Sequence, residues 1–265
     1  MPVKQLISPL PYFPDSAGLF AVLSAQPWSV FLDSGYPFSE QGRYDIFAAD
    51  PAVTLVTQGE TTQVNRQGEI TVSKEDPFDL VKQELLAFPS EPLSRLPFNG
   101  GAIGYLSYDL ARRLEKLPVI ADDAEHIPEL AVGIYNWAVV VDHQQKQSYL
   151  VGQNCPEERW QALIRLFSVL PAHTEPSQFR VTSRIESNMD KASYTHAFQQ
   201  IKHYLKEGDC YQVNLSQRFV ADCTGDPWAA YLLLRELNAA PFSAYLNIPG
   251  VQVLSSSPER FLKLE

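Results

Sequence analysis

The sequence predicts an α+β fold, in which strands paired as hairpins share one chain with amphipathic helices. The first observation is a β-hairpin signal at residues 244–254, where Pro249-Gly250 separates two apolar segments. The second is residues 156–170, where apolar side chains recur at the spacing of one helix face. The third is a further helical pattern at residues 190–207.

The N-terminal part of the chain is predicted to form strands followed by a helix. Residues 28–32 and 43–47 are predicted strands, and a turn at Asp33-Ser34-Gly35 follows the first of them. A meander of three β-rich segments is expected next, at residues 53–57, 61–64 and 69–72. A helix is expected over residues 77–88, because Asp76 can cap it and Pro77 suits the first helical position. Its predicted apolar face consists of Phe78, Val81, Leu85 and Leu86.

The middle of the chain contains two apolar strand candidates, residues 97–109 and 131–142. The glycines of the first form a GGxxG pattern inside a strand, which is not the GxGxxG turn of a dinucleotide site. The second should form a hairpin with residues 147–151. Residues 171–188, rich in Pro, Ser and Thr, are interpreted as a connection between two halves of one fold.

The C-terminal part is predicted to continue the same alternation of helix and strand. The helix at residues 190–207 should end at Gly208. We expect its buried stripe to consist of Tyr194, Phe198, Ile201 and Leu205. Residues 211–219 alternate between apolar and polar side chains and predict a strand, and Asp226 is positioned to cap a helix at residues 227–238. The polar face of that strand could be solvent-exposed or could form the wall of a site.

Composition and charge narrow the function classes. In 265 residues the net charge is −10 and no basic run occurs, which argues against nucleic acid and anionic membranes as partners. The N-terminus lacks the pattern of a signal peptide, so a cytoplasmic protein is expected. The three cysteines, Cys155, Cys210 and Cys223, are expected to be free thiols, since they form no metal-binding pattern.

A candidate catalytic carboxyl follows the predicted hairpin, in the segment Ser257-Pro258-Glu259-Arg260. On spacing alone the two charged residues can be a solvated pair beside a turn. A carboxyl at the end of a strand is also well placed for proton transfer. The pattern leaves both interpretations open.

Four stretches of the sequence resemble the chorismate-utilising enzymes, the family of anthranilate synthase component I and aminodeoxychorismate synthase component I. They are SPERF after PFSAYL, SGYPFSEQGRYDIFAADP at 34–51, GGAIGYLSYDLARRLEKLP at 100–118, and YLKEGDCYQVNLSQRF at 204–219. The resemblance implies a mixed, mostly antiparallel two-sheet sandwich with outer helices. It also implies that residues 1–170 form the family's N-terminal region and residues 185–265 begin its catalytic region.

The resemblance also implies a pocket for L-tryptophan and a catalytic acid. The tryptophan-binding residues would be Ser34, Gln41, Gly42, Arg43, Tyr44, Pro241, Phe242 and Ser243. Asp45 and Arg43 could supply an acceptor for the ligand's ammonium group and donors for its carboxylate. Glu259 matches the family's proton donor. A guanidinium beside Glu259 would favour the ionised carboxylate, which is the wrong form for an acid, so Arg260 is expected to point away from it.

Within the family, the resemblance favours the aminodeoxychorismate branch, because FLDSG lacks the Leu-Glu-Ser typical of anthranilate synthases and because of PFSAYL and AVGIYNWAVVVDHQ. The implied reaction replaces the C4 hydroxyl of chorismate with ammonia from a glutamine amidotransferase subunit, giving 4-amino-4-deoxychorismate for para-aminobenzoate and folate synthesis. Two alternatives stay open: anthranilate synthase component I, and a non-catalytic module that binds tryptophan and a partner.

The resemblance implies further that the chain is a partial enzyme. The family's covalent lysine and its acidic Mg²⁺ ligands would lie beyond residue 265, so we expect no metal ligands within the chain and no activity from it alone. The last residues, 261–265, also resemble the beginning of a strand. Strand edges left open in this way would favour aggregation.

Overall fold

The structure is a computed structural model that describes residues 5–39, 42–88, 96–120, 123–171 and 178–264. The α+β fold class is confirmed, and every strand pairing among these residues is antiparallel. The chain divides into two compact units, residues 1–175 with 230–265 and residues 176–229. No helix within the described ranges is long and apolar enough to cross a membrane.

Sixteen strands and five α-helices follow one another along the described chain. The strands are β1 (Gln5–Leu10), β2 (Ser29–Asp33), β3 (Tyr44–Ala48), β4 (Val53–Gln58), β5 (Thr61–Arg66), β6 (Glu69–Ser73), β7 (Gly101–Leu106), β8 (Leu130–Tyr135), β9 (Trp137–Asp142), β10 (Gln147–Gln153), β11 (Phe179–Val181), β12 (Glu186–Ser187), β13 (Phe219–Val220), β14 (Cys223–Gly225), β15 (Phe242–Ile248) and β16 (Val251–Ser257). The helices are α1 (Ser16–Phe20), α2 (Pro77–Ala87), α3 (Glu157–Phe167), α4 (Lys191–Glu207) and α5 (Pro227–Leu237), with a 3₁₀ helix at Tyr108–Arg113.

The larger unit contains two sheets. Seven strands pair in the order β1-β10-β9-β3-β2-β15-β16, and five pair in the order β6-β5-β4-β8-β7. Strands β8 and β9 are buried along their whole length, which explains why residues 131–142 form a continuous apolar run rather than an alternating one. Four phenylalanines with no measurable exposure pack together in the core of this unit: Phe20, Phe31, Phe47 and Phe167.

The predicted local signals for turns and helix starts are confirmed. Asp76 accepts hydrogen bonds from the backbone of Phe78 and Asp79 at the start of α2. The hairpin β15–β16 turns at Gly250, whose φ of +86° places it in the left-handed region that glycine tolerates. The predicted face of α2 is partly wrong, however. Leu80 is the buried apolar residue, whereas Phe78 and Leu86 are exposed, because the sheet meets the helix on a neighbouring side.

In the smaller unit two expectations are wrong. The helix α4 ends at Gly208 as predicted, and the side chain of Asp190 caps its start. None of its residues is buried, however, so its apolar stripe is not a core face. The predicted strand at residues 211–219 is reduced to Phe219–Val220, which pairs with Glu186–Ser187. Alternation by itself does not form a strand, because a strand also needs a partner for its backbone hydrogen bonds, and the described residues pair only this end.

Candidate functional site

The sheet register brings the sequence-predicted site residues together at one end of the central strands of the seven-stranded sheet. Ser243 pairs with Asp33, and Leu32 pairs with Ile46, so β2 ends where β3 and β15 begin. We call this end of the strands the site edge. Ser34 follows the end of β2, and the other described members of the predicted tryptophan set lie beside it: Gly42, Arg43, Tyr44, Pro241, Phe242 and Ser243. Gln41 lies outside the described residues.

Gly42 packs directly against Ser34. A Cβ atom at position 42 would lie 2.7 Å from the Ser34 side-chain oxygen, closer than carbon and oxygen atoms approach without displacement. Gly35, which follows Ser34, has a φ of +78°, a conformation that other residues rarely adopt. The two glycines therefore allow the chain segments before β3 and after β2 to approach each other closely.

Asp45 is the centre of a buried hydrogen-bond network at the site edge. Its carboxylate accepts from the backbone nitrogen and the hydroxyl of Ser34, at 2.7 and 2.6 Å. The hydroxyl of Ser16 also donates to it, and the Nε2 atom of His143 lies 2.8 Å from Oδ2. Burial works to raise the pKa of Asp45, but the hydrogen bonds from His143, Ser16 and Ser34 outweigh it and hold the pKa below the ordinary value.

This network corrects the role considered for Asp45. Its side chain is fully buried and both of its oxygens already have donors, so a ligand's ammonium group does not reach it. What the carboxylate does is fix Ser34, the first residue of the predicted tryptophan set. Asp45 is therefore a residue that positions the site edge rather than a ligand contact.

His143 and two tyrosines extend the network towards the surface, and sequence reasoning did not identify them. The hydroxyl of Tyr12 lies 3.1 Å from Nδ1 of His143, and the ring of Tyr36 stacks on the imidazole with centroids 4.1 Å apart. Burial, together with a hydrogen bond between Tyr12 and Tyr36, raises the pKa of Tyr12 to about 12. His143 lies 98 residues from Asp45 in sequence, so no local spacing could have revealed the pair.

A second buried carboxylate, Asp33, lies on the other side of the Ser34–Gly35 turn. It accepts from the backbone nitrogen of Gly35 at 2.7 Å, from the hydroxyl of Tyr231 at 2.9 Å, and from Nε of Arg235 at 2.6 Å. Arg235 also donates to the backbone carbonyl of Tyr36. Burial raises the pKa of Asp33 and repulsion from Asp45 adds to the rise, while Arg235 opposes it.

Arg43 is the half-exposed cation of the site edge. Its Nε and Nη2 atoms donate to one oxygen of Asp142, at 3.2 and 3.0 Å, and its guanidinium lies 4.5 Å from the centre of the Tyr44 ring. The hydrogen bond to Asp142 raises the pKa of Arg43, so the group is charged at all physiological pH values. Asp142 thus neutralises one side of the guanidinium, and 39% of the Arg43 side chain is still exposed to a ligand.

The first two residues of β15 contribute one buried and one exposed side chain. Ser243 is buried, and its hydroxyl donates to the carbonyl of Ala240 at 2.9 Å. Phe242 is 37% exposed. Because Phe242 pairs with Ser257, the end of β16 also lies at the site edge.

Glu259 follows β16 and therefore lies near the same edge. It is exposed, and its backbone carbonyl accepts from the hydroxyl of Ser257 at 3.0 Å. The guanidinium of Arg260 lies 4.9 Å from the centre of the Phe242 ring. That Arg260 points away from the Glu259 carboxyl stays a prediction. The role of Glu259 as a proton donor stays a prediction, since a proton donor is defined by the substrate that it contacts.

No site for a metal ion is found in the described part of the chain, where no three His, Cys, Asp or Glu side chains converge. Asp33 and Asp45 are not available as ligands, because both are buried and already accept hydrogen bonds. These residues do not fit Mg²⁺.

Comparison with known proteins gives one family and a consistent set of relatives. The family described as "chorismate binding enzyme" matches residues 30–265. Aminodeoxychorismate synthase component 1 of Klebsiella aerogenes is 43% identical over 260 residues, which is 96% of this chain and 56% of the relative. The Escherichia coli protein of the same name is 42% identical over 245 residues, or 92% of this chain and 53% of the relative.

Anthranilate synthases are more distant. Component 1 from Acetivibrio thermocellus is 27% identical over 248 residues, which is 84% of this chain and 49% of the relative. The solved structure of anthranilate synthase component I from Streptococcus pneumoniae has a TM-score of 0.63 and 23% identity, covering 83% of this chain and 51% of that one. This likeness shows the fold alone. The chain spans about half the length of the curated relatives that it matches.

Proposed function

We propose a function from the premise that this chain belongs to the chorismate-binding enzyme family. The proposed activity is that of aminodeoxychorismate synthase component I, which replaces the C4 hydroxyl of chorismate with an amino group to give 4-amino-4-deoxychorismate. The observation that carries the proposal is the identity of 41–43% to three proteins of that name, against 27–30% to anthranilate synthases. The product would serve para-aminobenzoate and folate synthesis in the cytoplasm.

In the proposed reaction Glu259 acts as a general acid. Ammonia supplies the new C–N bond at C4 and gives up one proton, while the C4–O bond breaks and the hydroxyl leaves as water. Hydroxide is a poor leaving group, so proton donation is worth about 10²- to 10⁴-fold in rate. The position of Arg260 over the Phe242 ring supports this role, because a guanidinium paired with Glu259 would favour the ionised carboxylate.

The proposed partners are a glutamine amidotransferase subunit, which would supply the ammonia, and L-tryptophan at the site edge. Arg43 is charged and half-exposed, so its remaining N–H groups suit a ligand carboxylate, and Tyr44 and Phe242 offer apolar surface to an indole. Mg²⁺ is proposed for the reaction with ligands outside residues 1–265. We accordingly expect slow or undetectable turnover by these residues alone.

The test is product identification. The purified chain is incubated with chorismate, ammonium and Mg²⁺, and the products are separated and identified by mass, while tryptophan binding is measured by calorimetry on the same preparation. The proposal expects that any product formed is 4-amino-4-deoxychorismate, and that tryptophan binds at a saturable site. Anthranilate as the product would instead favour the alternative function, that of anthranilate synthase component I. A chain that melts cooperatively but forms neither product and binds neither chorismate nor tryptophan would refute the proposal.

A further inference from the structure

Side chains of helix α5 form hydrogen bonds with the loop that carries Ser34, although no residue of α5 belongs to the predicted tryptophan set. Tyr231 and Arg235 lie one helical turn apart and both donate to the same oxygen of Asp33, at 2.9 and 2.6 Å. All three side chains are at most 5% exposed. A buried guanidinium, phenol and carboxylate that satisfy one another define a single geometry, because each would be costly to leave unpaired.

Arg235 holds the loop at two further points. It donates to the backbone carbonyl of Tyr36, and its guanidinium lies 5.5 Å from the centre of the Phe38 ring. Asp33 in turn accepts from the backbone nitrogen of Gly35. Helix α5 therefore contacts the chain immediately before Ser34 and again two and four residues after it.

The same helix leads into the other half of the proposed tryptophan site. Only four residues separate the end of α5 at Leu237 from the start of β15 at Phe242. The Oγ atom of Ser243 donates to the carbonyl of Ala240 within this short connection. Arg235, which bonds to Asp33, lies only two residues before the end of α5, so the short connection to Pro241–Ser243 sets the distance between the two halves.

We propose that Tyr231 and Arg235 are positioning residues for the tryptophan site, acting through Asp33 and Tyr36 to hold Ser34 beside the Pro241–Ser243 segment. This inference rests on the proposed function, since tryptophan is the ligand by which it is tested. It adds to the site two residues of α5 that lie outside the predicted tryptophan set and act only through other residues.

The experiment compares Tyr231→Phe with Tyr135→Phe by calorimetric titration with L-tryptophan. Both substitutions remove only the hydroxyl of a buried tyrosine that donates one 2.9 Å hydrogen bond, to Asp33 in one case and to the carbonyl of Trp28 in the other. Both should therefore lower the melting temperature by similar amounts. Tyr231→Phe should in addition weaken tryptophan binding by roughly tenfold, the equivalent of one net hydrogen bond, while Tyr135→Phe leaves it unchanged.

Two further variants distinguish a positioning role of Tyr231 and Arg235 from a general loss of stability. Arg235→Lys keeps the positive charge but cannot reach Asp33 and the Tyr36 carbonyl together, so its tryptophan affinity should fall. In a double-mutant cycle, Tyr231→Phe should have a smaller effect on affinity when Ser34 is already alanine, because the effect passes through Ser34.

Equal tryptophan affinity in Tyr231→Phe and the wild-type chain would overturn the inference while leaving the proposed function intact. Equal losses of affinity in Tyr231→Phe and Tyr135→Phe would also overturn it, because the effect would then follow stability alone. A wild-type chain that binds no tryptophan would overturn it together with the tryptophan part of the proposed function.

Discussion

Removing the Asp45 carboxylate tests whether the buried network holds the site edge together. In Asp45→Ala the backbone nitrogen of Ser34 loses its acceptor, and an amide N–H cannot become an acceptor itself. The imidazole of His143 also loses the carboxylate at 2.8 Å. Leaving a buried hydrogen-bonding group without its partner costs about 1–3 kcal/mol. Asp45→Ala does this to several groups at once, so a loss of about 3–5 kcal/mol is expected at neutral pH.

Asp45→Asn should lower the free energy of unfolding by less than Asp45→Ala does. The amide oxygen can still accept from both donors of Ser34, and the hydroxyl of Ser16 and the ring of His143 can each accept a hydrogen bond from the new amino group. What is lost is the negative charge in bonds that are charge-assisted in the wild-type chain. We expect that change to lower the free energy of unfolding by about 1–3 kcal/mol.

The pH dependence follows from the lowered pKa of Asp45. Because the folded-state pKa lies below the ordinary value of 3.8, the unfolded chain binds more protons in the acid range. The contribution of Asp45 is therefore fully present above about pH 3.9, and it is lost as the pH falls through the folded-state value. The difference in stability between the wild-type chain and Asp45→Asn should shrink correspondingly on acidification.

The measurement is thermal unfolding followed by intrinsic fluorescence, with Asp50→Asn as the matched control. Asp50 pairs with Arg159, but its side chain is 69% exposed, so its loss should cost at most about 1 kcal/mol. For a chain of this size 1 kcal/mol corresponds to roughly 2–4 °C, which gives a shift of roughly 6–20 °C for Asp45→Ala. An Asp45→Ala chain that melts within the range of Asp50→Asn would refute the reasoning.

Three other predictions concern single positions. Gly42→Ala should destabilise the chain by about 1–3 kcal/mol in chemical denaturation, because the new methyl group would overlap Ser34; an unchanged midpoint would contradict that close approach. Glu259→Gln should lower any chorismate amination by about 10²- to 10⁴-fold in a steady-state assay while the melting temperature stays constant, since Glu259 is exposed, and retained activity would remove it as the acid. Iodoacetamide should label the exposed Cys223 at least about tenfold faster than Cys155, whose thiol pKa is raised by burial; equal rates in peptide mapping would contradict the burial of Cys155.

Local signals in the sequence predicted several elements correctly because their causes lie within a few residues. The Asp76 cap bonds to nitrogens two and three positions away, and Gly250 supplies the conformation that its own hairpin needs. The stripe of α4 shows the limit of such signals. Its spacing predicted a helix correctly, but whether a helix face is buried depends on what packs against it, and no periodicity contains that information.

The sequence by itself determined the family and the α+β class, and it predicted the members of the site, since motifs such as PFSAYL and SPERF are stretches of consecutive residues. Only the tertiary structure decided how those members are held. Asp45 meets His143 across 98 residues and Asp33 meets Arg235 across 202, and these contacts exist because β3 pairs with β9 and α5 packs behind β2. Hydrogen bonds between side chains so far apart are set by strand register and helix packing, which act on the folded chain and leave no local pattern.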